Sequence, residues 1–241
     1  MPMADEFPAR PPPPPRLTEA RADLLSALWR LVRGLAALFW GLPIALVVCV
    51  QTAKGDWLQP LGVLPPMVAT GLMAYGLRQL GYFQKQERVW IIALDRALLF
   101  ALVNVGLSPF LYWWNRFPNN LFYNAMVELL TITGLLFLFS LNPVLWRLAA
   151  MLPDETLRLE TKLFTTLNRF LLSFSVVLLV GYFLLERARQ LPPSLIAVLV
   201  RLEKTGLWLL LFLILLPFAM TMALIWKIKE VIFASVFAAK E

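Results

Sequence analysis

Runs of about 20 apolar residues, the length that carries a helix across the hydrocarbon of a bilayer, recur along this chain and fix its solvent before anything else can be said of it. Four runs are free of charge, at 34–53, 57–77, 97–115 and 205–226. A fifth lies within 117–146, where Glu128 is the single charge, and a sixth within 170–185, which becomes long enough when 163–168 is added. Backbone groups left unpaired in hydrocarbon cost several kcal/mol each, and nothing alternates with the period of a barrel strand, so the spans are expected to be helices. A composition of 60% hydrophobic and 15% charged residues agrees. The expected fold is all-α: a polytopic integral membrane protein of about six transmembrane helices with extended extramembrane helical segments.

The segments follow from punctuation. Residues 1–16 form a proline-rich tail, in which Pro11 to Pro15 favour polyproline II and leave no apolar core for a cleaved leader. Residues 17–33 read as an amphipathic lead-in helix, with Leu24, Leu28, Leu31 and Leu35 at helical spacing beside Arg21, Asp23 and Arg30. Spans one to four occupy 34–146, and 147–169 holds an interfacial helix and the protruding start of a long one. Spans five and six fill 170–226, before a short basic tail at 227–241. Asn142-Pro143 reads as the N-cap and first-turn proline of the interfacial helix, which ends before Pro153. From Asp154, a plausible N-cap, no strong breaker intervenes until Gln190; Pro192-Pro193 stops that helix and Ser194 can cap the last one, which Pro217 should kink.

Charge orients the bundle. With six spans, Arg10, Arg16, Arg21, Arg30 and Arg33 share one side with Arg78, Lys85, Arg88 and Arg96, with Arg147, Arg158, Lys162 and Arg169, and with Lys227, Lys229 and Lys240. The other side holds Lys54, Arg116 and a discordant fifth loop with Arg187, Arg189, Arg201 and Lys204. The bias places both termini in the cytoplasm, and the plasma (inner) membrane of a bacterium is the expected location. The net charge of +7 points to anionic lipids as partners rather than to nucleic acid, since no basic stripe carries interleaved aromatics.

Chemistry is argued from what is missing. The chain has no histidine and one cysteine, Cys49, so haem, zinc and copper sites and a Ser-His or Cys-His nucleophile lack their usual groups. No cofactor, metal or enzyme activity is expected. The intramembrane polar candidates are Asp95, Arg96, Asn104 and Glu128, because a charge at membrane depth normally faces a partner or water. Asn104, Ser108 and Pro109 read as a kink with interhelical hydrogen bonds, or as an unwound binding segment. Pro65-Pro66 must delay the second span. Gly71, Gly76 and Gly81 recur every five residues, not the four of a close-packing face, and Trp40, Trp57, Trp90, Trp113, Trp114, Trp146 and Trp226 fall where interfacial anchors would.

Two functions compete. The first is a non-catalytic structural or accessory subunit of a larger membrane protein complex, assembling through transmembrane helices, protruding helices and the proline-rich tail, with Pro11, Pro15, Arg158 and Lys162 as partner contacts. The second is a small secondary transporter or channel using Asp95 and Glu128. A membrane enzyme acting on lipid has less support, since no nucleophile, base and oxyanion donor group together.

Overall fold

The structure, a computed structural model, describes the backbone of residues 17–83, 87–152, 155–187 and 193–238. Side chains are described within these from Ser26 to Ala234, except at 157 and 185–211. Seven α-helices account for nearly all of it: α1 Leu17–Lys54, α2 Leu64–Leu80, α3 Arg88–Leu107, α4 Phe110–Arg116, α5 Leu121–Ala150, α6 Glu155–Arg187 and α7 Pro193–Ala238. No strand occurs among the described residues. Pro11 and Pro15 of the tail, Asp154 and Gln190 lie outside them.

Among the described residues, five helical stretches are long and apolar enough to cross a membrane: Ser26–Lys54, Arg88–Arg116, Leu121–Ala150, Arg158–Leu184 and Phe212–Ala234. The expected second span is the one that shrinks. Residues 57–63 turn through a 3-10 segment, Gln59–Leu61, and through Gly62 at φ 62°, a left-handed conformation that glycine adopts without strain. Pro65 and Pro66 then sit in the first turn of α2, where their missing N–H groups are not needed. What remains is 17 residues, about 25 Å of helix. The third span is two pieces, α3 and α4, parted at Ser108-Pro109.

The expected interfacial helix beginning at Asn142 does not form. α5 runs through Pro143 without a break to Ala150. Asn142 is fully buried, and its Nδ2 donates to Leu138 O at 3.0 Å instead of capping a new helix. Pro143 leaves only Phe139 O without its helical donor, and the helix continues across that single gap. α7 likewise starts at Pro193, one residue before the expected cap Ser194, and continues through Pro217, where Thr221 Oγ1 donates to Pro217 O at 2.8 Å.

The helices alternate in direction and close a ring, α1 against α2, α2 against α3, α3 against α5, α5 against α6, α6 against α7 and α7 back on α1. At one end lie Arg30, its guanidinium 5.2 Å from the Tyr82 ring centre, and the Lys227–Glu160 ion pair between α7 and α6. At the other end, Asn115 Nδ2 donates to Gly55 O at 3.3 Å, and Phe110, Trp113, Phe117, Phe122 and Tyr123 pack ring to ring at 5.6–6.5 Å. Such an aromatic girdle suits a membrane interface. Trp90 does not share this role: it is fully buried and joins the main core, α3 having turned that face inward.

The closest helix contact is between α1 and α2. A Cβ on Gly34 would meet Leu80 and lie 2.8 Å from Gly76 O, and one on Gly76 would lie 3.0 Å from Gly34 O. Gly76 therefore works with a glycine on another helix, while Gly71 has nothing within 4 Å, which explains why the five-residue spacing carries no meaning.

α6 carries the reverse of the polarity expected of a helix packed in water. Its buried positions include Thr161, Thr165, Asn168 and Ser175, while Leu163, Leu167, Phe170, Phe174 and Val177 are exposed, Phe170 by 70%. In water this arrangement would expose its oil and hide its hydroxyls; in hydrocarbon both faces are satisfied.

Candidate functional site

Small neutral side chains tie the interior together. Thr133 Oγ1 lies 2.7 Å from Asn104 Oδ1 and 2.9 Å from Leu129 O, joining α5 to α3. Thr70 Oγ1 lies 3.4 Å from Ser108 Oγ, joining α2 to the end of α3. Asn168 donates from Nδ2 to Asn142 Oδ1 at 3.0 Å and to Thr221 Oγ1 at 2.9 Å, so that α5, α6 and α7 meet at one amide. At 104–109, Asn104 and Ser108 both make interhelical hydrogen bonds beside the break between α3 and α4.

A cavity of about 370 Å³ lies beside these groups, between α1, α2, α3, α4, α5 and α7. Asn104, Thr70 and Thr131 supply its polar edge, and Cys49, Met73 and Phe218 belong to its apolar wall. No charged residue lines it. It can accept an uncharged apolar group, and no carboxylate, ammonium or guanidinium is found among its described lining residues.

The charged candidates lie elsewhere. No Lys, Arg, Asp or Glu is buried among the described residues. Asp95 and Arg96 are exposed on α3, and Glu128 is half-buried on α5. The Asn104–Thr133 contact sets the relative height of the two antiparallel helices. Asp95 precedes Asn104 by nine positions and Glu128 precedes Thr133 by five, so at 1.5 Å per residue they sit about 21 Å apart along the bundle axis. They form no dyad. Arg158 and Lys162 are both exposed on α6.

Sequence reasoning missed a convergence of cations. Arg96 from α3, Arg147 from α5 and Lys162 and Arg169 from α6 line one groove of about 640 Å³. In the sequence Arg147 and Arg169 count only as loop charges. The available signal was the position of Arg169, between Asn168 and Phe170 in an otherwise apolar stretch, where a topological charge has no reason to stand.

Comparison with known protein families, with curated proteins and with solved structures gives no match.

Proposed function

We propose that the protein is a non-catalytic subunit of a larger membrane assembly, docking through the outer face of its helices and through its proline-rich tail. In this reading α2 is a short sixth span, and both termini lie on the cytoplasmic side of a bacterial inner membrane. The observation that carries it is the setting of Asp95. The same outward face of α3 exposes Ile92, Leu99 and Leu102, and Asp95 has no ion pair with a described residue. A carboxylate flanked by exposed apolar side chains is stabilised when a cation meets it, and a partner helix would supply one. The same reading is supported by the described interior, in which no Lys, Arg, Asp or Glu is buried. Transport through Asp95 and Glu128 has less support, with the two groups about 21 Å apart and the first facing outward.

Mild-detergent purification tests it. The wild-type chain is expected to emerge with a stoichiometric partner, and Asp95→Leu combined with Arg158→Glu to lose that partner by more than about tenfold while inserting normally, as truncating one member of a buried charge pair does. Recovery of the wild-type chain alone and monodisperse would sink the subunit reading. Loss of ion flux in Asp95→Asn, with the complex intact, would favour the transporter.

A further inference from the structure

The four-cation groove does not depend on the subunit reading. It is cut between the first half of α3, the last half of α5 and the first half of α6, all at the end of the bundle that also carries Arg30 and the Lys227–Glu160 pair. No acidic residue lines it, and none of the four cations has a carboxylate partner among the described residues. Two are held against its wall by aromatic rings: the Arg169 guanidinium carbon lies 5.4 Å from the Phe139 ring centre, and that of Arg147 4.7 Å from Trp146. Like charges lining one groove repel one another, and a bound anion reverses the sign of that interaction. Hydroxyls stand among them, from Ser140, Thr165 and Thr166; that of Thr165 is buried and lacks any hydrogen-bond partner.

The remaining wall is hydrocarbon, including Ile92, Phe100, Leu136 and Phe139. A second depression of about 240 Å³ shares Phe139, Thr166 and Arg169 with the groove and extends it to Phe170 and Ser173 along α6. Cations therefore stand above an apolar trough, with Trp146 marking the interfacial level.

We propose that this groove is a specific site for an anionic phospholipid, its phosphate held by Arg96, Arg147, Lys162 and Arg169 and one acyl chain lying over Phe139 and Phe170. Arginine suits the task because its planar fork meets phosphate oxygens in pairs and stays charged at low dielectric. A free phosphate would satisfy the same cations, but would leave the trough unused.

Native mass spectrometry of the full chain in detergent, titrated with phosphatidylglycerol or phosphatidylcholine, separates these cases. Phosphatidylglycerol is expected to be retained preferentially, and excess inorganic phosphate not to displace it. The double variant Arg147→Gln with Arg169→Gln should weaken retention about thirtyfold, about 2 kcal/mol at about 1.4 kcal/mol per tenfold. Arg30→Gln with Arg33→Gln, at the same end but outside the groove, should leave it unchanged. Arg147→Lys with Arg169→Lys should restore most of it, which a folding defect would not allow. Equal retention of the two lipids, undiminished retention in the glutamine variant, or displacement by inorganic phosphate would each overturn the proposal.

Discussion

Replacing Gly34 by valine is expected to break the α1–α2 pair, at a cost of about 3 kcal/mol, because the backbone of Gly76 as well as the Leu80 side chain blocks the added carbons. A Cβ there would meet Leu80 and stand 2.8 Å from Gly76 O. The two helices would have to separate along their whole contact, exposing Leu31, Leu35, Leu38, Leu77 and Leu80, all of them fully buried. Gly71→Val, on α2 but with nothing within 4 Å of its Cβ, serves as the control and should change stability little. Unfolding in mixed micelles of increasing denaturing-detergent content measures both. Equal stability of the two variants would show that the glycine contact does not set the helix separation.

The second large effect belongs to Asn168. Its amide donates to Asn142 Oδ1 and Thr221 Oγ1 in a site where all three residues are nearly or fully buried. Interhelical hydrogen bonds within membranes average only about 0.6 kcal/mol by double-mutant cycles, so lost bonds alone would be a small matter. Most of the cost comes from the acceptor left behind. Asn168→Leu keeps the number of side-chain heavy atoms but strands Asn142 Oδ1 with no water to replace the donor, for a combined loss of about 2–3 kcal/mol. Asn168→Asp should be worse, since it sets a carboxylate oxygen against the amide oxygen and buries a charge. A cycle with Asn142→Ala is expected to recover about 1 kcal/mol of coupling, because the second substitution removes the stranded group. Additive effects would mean that the two amides do not interact.

These residues show what periodicity and composition could and could not disclose. Membrane-length helices were legible because apolar runs report their own length. The 3-10 turn at Gln59–Leu61 and the break at Ser108-Pro109 were foreshadowed by prolines. Pro143 misled, since a proline can stand inside an apolar helix without ending it, and here α5 continues past it with Asn142 buried instead of capping. Trp90 misled for a related reason: position near a run's end cannot distinguish a ring at the interface from one turned into the core. The polar stripe Thr161, Thr165, Asn168 and Ser175 was present at spacings of four, three and seven, but polarity that repeats on one helical face is ordinarily assigned to the outside. Only in a chain already placed in lipid does the same pattern mark the inside. The cation groove depends on residues from three helices between positions 96 and 169, and no local pattern joins them.

The reversed polarity of α6 and the outward face of α3 are most directly tested by thiol accessibility. With Cys49→Ala as the background, single cysteines are placed at Leu99, Phe174 and Val177, and a fourth at Trp57 in the connection before α2, which is 82% exposed. The protein is reconstituted in nanodiscs, so that both aqueous faces are open to a charged, membrane-impermeant maleimide. Labelling is predicted at position 57 and not at 99, 174 or 177, whose side chains should lie in acyl chains. Labelling of those three as fast as position 57 would mean that water bathes the apolar face, and would contradict lipid immersion.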